Sequence, residues 1–277
     1  MKLHKVVEKV KSQRREAGHV QFLRQPASAG ASDGWTAPVY SEARGFDLDE
    51  TVLRDNRCIC YWPDTPELQQ YKVLRAQVSR QMKEKGWNAI MITSVRPGEG
   101  KSVTSINLAL TFAKAYNQTV LLVDSDLRQQ SIYRYLGMAG DKGLVDHLLN
   151  DTPVKDLIIW PKVEQLTVIS GGCTVHDGAE LLGSPRMNAL VAELKGRYPD
   201  RCVLFDAPPL LSGADALTLG TLVDGILVVV EAGKTTYKEV EEGLALIPKE
   251  KILGILLNKY SSPNQNYYAY NETSRKR

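Results

Sequence analysis

The sequence predicts a doubly wound α/β fold, a mostly parallel sheet with helices on both faces. Six apolar runs, at 89–93, 119–123, 166–169, 202–205, 225–230 and 252–257, alternate with stretches of helical periodicity. Most of these runs are too uniformly apolar for strands with one wet face, as a sheet covered on both sides requires. Three of them lead into glycine- or aspartate-rich sequence at their C-terminal ends, the edge where open α/β sheets bind ligands.

Taken in order, the opening Met1 to Arg15 is lysine-rich, with Leu3, Val6, Val7 and Val10 at helical spacing. Its Lys2, Lys5, Lys9, Lys11, Arg14 and Arg15 suit an anionic lipid surface, while the apolar stripe equally suits a partner or the chain's own core. Pro26 to Pro38, rich in Ala, Ser, Gly and Pro, reads as linker, so residues 1–65 are expected to form a basic helix and a flexible linker. Regular patterning begins at Pro66: Glu67 to Lys85 forms a helix with Leu68, Tyr71, Leu74 and Val78 on one face. Between the apolar strands, helices are expected at 101–116, 143–149, 185–197, 214–222 and 236–247, making 66–259 one domain. The polar, aperiodic stretch 260–277 reads as a disordered tail.

With 43% apolar residues in 277, the chain can bury a real core. A net charge of +3 gives no reason to expect nucleic acid as a partner. No run approaches the ~18–20 apolar residues of a membrane span, and the N-terminus lacks an apolar signal core, so a cytoplasmic location is expected. Cys58, Cys60, Cys173 and Cys202 show no zinc-ligand spacing, and Cys202, at the start of an apolar run, reads as a reduced buried thiol.

The chemistry concentrates at three strand ends. Pro97, Gly98, Glu99, Gly100, Lys101 and Ser102 follow the first run. Gly98 and Gly100 free the backbone to wrap phosphate oxygens, and amides opening the next helix, through Val103, face the anion. Lys101 would neutralise the β- and γ-phosphates of a nucleoside triphosphate, and the Ser102 hydroxyl would ligate Mg²⁺. Val95 departs from the general pattern, which wants glycine there. A bare Gly-Lys-Ser is compatible with a chance turn, but the strand–loop–helix context argues against that. Asp124 and Asp126 end the second run with a spacing that, in an extended chain, turns both carboxylates to one face. They suit metal coordination and activation of a hydroxyl, and Arg128 could neutralise phosphate, although paired Asp also marks ordinary strand-end turns. Asp206 ends another run, before Ala207, Pro208 and Pro209, where it would orient Mg²⁺.

These residues resemble the bacterial protein-tyrosine kinases of capsule and exopolysaccharide synthesis, a branch of the P-loop ATPases. Ser94 to Ser102 looks like the family's Walker A, Leu122 to Arg128 like its Walker A′, and Phe205 to Pro209 like its Walker B. Gly143 to Asp146, Glu180 to Met187, Val223 to Gly225 and Leu257 to Lys259 are similar as well, seven blocks in the same order. The resemblance implies ATP and Mg²⁺ as cofactors, with Ser102, Asp124, Asp126 and Asp206 around Mg²⁺-ATP. It also implies Asp124 as acceptor of the tyrosine proton and Asn258 as a contact to adenine, where a plain turn residue is the alternative. The family's tyrosine-rich tail is phosphorylated in trans, and here Tyr260, Tyr267, Tyr268 and Tyr270 fall within the last eighteen residues. A membrane chain-length protein is the implied activator, recruiting the kinase to the inner face of the plasma membrane. A homo-oligomer is implied too, but the family's Glu-x-x-Arg-x-x-Arg ring motif reads Gln69, Lys72 and Arg75, and lysine lacks arginine's bidentate geometry. Two other readings stay open: an ATPase switch of the partitioning or cell-division type, and an ATP-binding scaffold without turnover. The first usually carries lysine where Arg96 stands and lacks a tyrosine tail.

Overall fold

The computed structural model describes residues 43–115, 118–138, 142–197 and 200–261. Its first half contains β1 (Arg44–Gly45), α1 (Glu50–Asp55), α2 (Pro66–Lys85), β2 (Ala89–Ser94), α3 (Lys101–Ala113), β3 (Thr119–Asp124), α4 (Ile132–Tyr135) and α5 (Leu144–Asn150). The second contains β4 (Ile159–Trp160), β5 (Leu166–Ile169), α6 (Gly178–Leu182), α7 (Pro185–Gly196), β6 (Arg201–Asp206), α8 (Asp215–Leu222), β7 (Gly225–Glu231), α9 (Tyr237–Ala245) and β8 (Ile252–Asn258). One sheet runs β1-β4-β5-β3-β6-β2-β7-β8, parallel throughout except where β4 meets β5. All six apolar runs are strands of this sheet, which is doubly wound as expected.

Alternation along β2 shows why both faces are covered. Ile90 and Ile92 enter one buried cluster with Leu108, Leu110 and Phe112 of α3, while Ala89 and Met91 enter another with Leu190 and Leu194 of α7. Pro66 opens α2 at a position where its missing N–H costs nothing, and Gly86, at φ +67°, ends it. The strand neighbours β3 and β6 run in a register that sets Asp124 directly beside Asp206.

The expected linker up to residue 65 needs correction. The basic helix and Pro26 to Pro38 lie outside the described residues, but 43–65 fold onto the core. Leu53, Cys58 and Cys60 are fully buried, and β1 pairs with β4. The Cys60 amide donates to Asn107 Oδ1 (2.8 Å), Asn107 Nδ2 donates to the Arg57 carbonyl (2.9 Å), and Lys114 Nζ donates to the carbonyls of Cys60 (2.6 Å) and Tyr61 (2.9 Å). The segment therefore satisfies its backbone on α3, where a linker would use water. Leu53→Ala in the full chain should cost about 2–5 kcal/mol in denaturant unfolding; a loss near zero would return this segment to the linker.

Burial pushes the Cys58 thiol up to about 12 and that of Cys60 to about 11, and raises Cys202 as well, whereas Cys173 is exposed. Among the described residues no helix is long and apolar enough to cross a membrane.

Candidate active site

The loop between β2 and α3 is held from several sides. Val95, at the position where a glycine was expected, is a core residue: it is fully buried, and its methyls face Gly243 of α9. Gly98 and Gly100 take φ of +83° and +95°, and a Cβ on Gly100 would stand 2.3 Å from Asn258 Nδ2, so only glycine fits there. The Glu99 carboxylate is buried inside the loop, where Oε2 accepts from the Arg96 amide (2.7 Å) and Oε1 from the Glu231 amide (3.3 Å) and the Thr235 hydroxyl. Any ligand contact at Glu99 therefore falls to its backbone. The first turn of α3 carries no side-chain cap and no acidic residue, leaving the positive end of the helix for an anion.

Around Lys101 gather the three strand-end acids. Its Nζ lies 2.7 Å from Asp126 Oδ2 and 3.7 Å from Asp206 Oδ2, and donates to Ser102 Oγ at 3.2 Å. The hydroxyls of Ser102 and Ser105 donate to the two oxygens of Asp206, at 2.6 and 2.9 Å. Asp124 accepts from the amides of Asp126 (3.2 Å) and Ile132 (3.0 Å), which fix its carboxylate. Asp126 accepts from the Gln129 amide (3.1 Å). All three carboxylates are buried, and one lysine cannot balance them. Burial, then the charge of Asp206, pushes Asp124 up to about 7. Asp206 is also raised by burial, against the pull of Lys101 and the serine hydroxyls. Burial works against charge on Lys101, but Asp206 and Asp126 outweigh it and its pKa is raised.

Other expected residues have different surroundings. Arg128 is bound by Asp215 at the start of α8, through Nε (3.0 Å) and Nη2 (2.9 Å), so its fork is committed within the chain. The side chain nonetheless stays half exposed. Gly178 makes room for that pair, since a Cβ there would meet Asp215 Oδ2 at 2.4 Å. Asp215 lies 87 residues beyond Arg128, and no spacing in the sequence links them. Arg96 pairs with Glu239 of α9 at 2.8 Å. Asn258 Nδ2 donates to the Glu99 carbonyl (2.8 Å). Beside it opens a cleft of about 890 Å³ lined by Tyr71, Leu74, Gly100, Val103, Leu256 and Asn258. Tyr260 is exposed on the lip of this cleft, whereas Tyr267, Tyr268 and Tyr270 lie outside the described residues.

Several motif blocks prove to be scaffolding. Asp224 accepts from the amides of Asn88 and Ala89, both at 3.0 Å, and from Lys195, at the start of β2 and so at the opposite sheet edge. The Gly143 amide donates to Asp146 (2.8 Å), and Ser184 caps α7 by accepting from the Met187 amide (3.2 Å). Arg75 of the weakened ring motif donates to the Thr111 carbonyl of its own chain (2.7 Å).

A parallel sheet with a glycine-rich loop, an uncapped helix start and acidic neighbouring strand ends defines a P-loop NTPase. A family model described as NUBPL iron-transfer P-loop NTPase (ParA) matches residues 86–269. Tyrosine-protein kinase YwqD of Bacillus subtilis is 35% identical over 216 residues, covering 75% of this chain and 87% of that protein. EpsB of Ralstonia nicotianae is 31% identical over 210 residues, and there the chain spans only 27% of the longer protein. The crystal structure of the chimerical protein CapA2B2 superposes with a TM-score of 0.68 at 26% identity, covering 82% of this chain and 96% of the other. The chain belongs to the ParA family of P-loop NTPases and, within it, to the bacterial tyrosine-protein kinases.

Proposed function

We propose that the chain is an ATP-dependent tyrosine autokinase of exopolysaccharide or capsule synthesis. The observation that carries this is the buried cluster of Lys101, Asp124, Asp126 and Asp206 at the mouth of an open phosphate loop. Its excess of carboxylate over ammonium fits a divalent cation, and its donors are all hard oxygens. Among the described residues no three His, Cys, Asp or Glu side chains form a ready cage. Mg²⁺ takes oxygen ligands and completes its shell with phosphate and water. Ser102, Asp124, Asp126 and Asp206 are its candidate ligands, and the bound ion would offset charge on the transferring phosphoryl group.

The chain's own groups do the remaining work. Amides from Gly98 to Val103 bind the phosphates, and Lys101 exchanges Asp126 for a phosphate oxygen. Asp124, held by two backbone amides, accepts the proton of the attacking tyrosine. Asn258, at the cleft, offers its amide oxygen to the adenine amino group. Tyr260, Tyr267, Tyr268 and Tyr270 are the acceptors, presented by one copy of a homo-oligomer to another. A membrane chain-length protein activates the kinase and recruits it to the inner face of the plasma membrane.

Intact-mass spectrometry of the full chain before and after Mg²⁺-ATP, with a candidate activator added, tests this reading. Whole-phosphate increments are expected, reduced when Tyr267→Phe, Tyr268→Phe and Tyr270→Phe are combined. Phosphate released into solution without phosphotyrosine would identify an ATPase switch instead. Nucleotide binding without turnover would identify a scaffold.

A further inference from the structure

We infer that Lys259 is a positioning residue, whose ammonium aims the amides of the phosphate loop by holding the Gly98 carbonyl outward. This rests on the nucleotide-binding reading above and assigns a role to a residue that reading does not use. Lys259 is the first residue beyond β8 and takes φ +56°, a left-handed conformation that side-chain-bearing residues adopt only where their surroundings hold them. Its Nζ donates to the Gly98 carbonyl at 2.7 Å and to Glu231 Oε2 at 3.1 Å, so the carboxylate at the end of β7 steers the ammonium onto the loop.

The effect on the loop follows from peptide geometry. A trans peptide is planar, and its C=O and the following N–H point in opposite directions. Drawing the Gly98 oxygen toward Lys259 therefore turns the Glu99 N–H the other way. Asn258 does the same one peptide later, drawing out the Glu99 oxygen and turning the Gly100 N–H. Successive amides turned to one side form the concavity that binds phosphate. Gly98 is exposed, and a Cβ built on it meets nothing within 4 Å. The lysine is thus a lateral brace on an exposed residue of the loop.

The brace is not a pillar of the fold. The Lys259 side chain is 40% exposed, and ion pairs of that kind contribute little to stability. Binding and stability should therefore separate on substitution.

The test uses the full chain with Lys259→Gly, which keeps the left-handed backbone without strain but removes the ammonium, and Lys259→Arg, which restores a cation. Mg²⁺-dependent affinity is read with a fluorescent ADP analogue, by competition with ADP and with GDP, beside thermal melting. Lys259→Gly should weaken ADP and GDP alike, by about 10-fold, the scale of one hydrogen bond to a charged group. Its Tm should match the wild type, and Lys259→Arg should recover most of the loss. Wild-type affinity in Lys259→Gly would overturn the inference. So would a loss confined to ADP, which would make Lys259 a contact to the base, or a fall in Tm parallel to the fall in affinity. A wild-type chain that binds neither nucleotide would instead overturn the phosphate-loop reading itself.

Discussion

Lys101→Met should abolish tyrosine phosphorylation and also destabilise the nucleotide-free chain, by about 3–5 kcal/mol, the usual cost of stripping one partner from a buried ion pair. The ammonium lies 2.7 Å from Asp126 and 3.7 Å from Asp206, in a site where each of these groups is nearly inaccessible to water. Without it, three carboxylates, Asp124, Asp126 and Asp206, remain buried with no cation. The pH dependence has a definite sign. A carboxyl group whose pKa is raised by folding stabilises the protein while protonated, and that contribution is lost as pH rises through the folded value. Burial already raises Asp206 with Lys101 present, so removing the lysine raises it further. The Tm gap between variant and wild type should therefore narrow as pH falls from about 7.5 toward the ordinary carboxylate range. A gap that stays constant with pH would show that the loss comes from packing and not from the orphaned acids.

Asp124→Asn should lower phosphotransfer by about 10²–10⁴-fold, the range over which a positioned general base contributes. Stability should respond in the opposite sense. Asp124 is fully buried beside Asp206, and in the nucleotide-free chain its ionisation is opposed by burial and by that neighbour. The neutral amide loses one of two backbone hydrogen bonds but escapes the repulsion. Because Asp124 is raised to about 7, the stability held by its protonated form in the wild type is lost as pH rises from the ordinary carboxylate range up to that value. The Tm of the variant relative to wild type should climb between about pH 4 and 7 and level off above that. Phosphotransfer is read by intact mass and stability by calorimetry without nucleotide. A fully active variant would remove Asp124 from the chemistry, and a relative Tm that falls with pH would contradict its raised pKa.

The strands that build the site were legible because each is buried on both faces and carries an unbroken apolar run, as in Val120 to Val123 or Val203 to Phe205. Shorter elements left no such trace. β1 and β4 are two residues each, and α1 spans six residues of which only Leu53 is buried, too few turns for a periodicity. Gly98, Gly100, Lys101, Ser102, Asp124, Asp126 and Asp206 could be read from local sequence because each sits at or just beyond a strand end, where chain direction decides its position. What could not be read was long-range pairing. Asp215, the partner of Arg128, arrives on a distant helix. Glu99 reads from sequence only as a member of the phosphate loop, yet its carboxylate is buried by contacts from Glu231 and Thr235. The glycine-to-valine departure at Val95 likewise makes sense only once α9 is in place, because the buried valine methyls face that helix at Gly243.

The unequal burial of the four thiols has a practical consequence. Cys58, Cys60 and Cys202 are enclosed and held in the unreactive protonated form, so a maleimide applied to the native chain has one accessible target, Cys173. Its carbonyl accepts from Gln130 Nε2, only a few residues past the Asp124 and Asp126 pair. A dye on Cys173 would therefore sit on a loop bonded to the segment that follows those acids. The unaltered sequence thus supplies its own single-site optical reporter beside the segment that follows the acidic pair.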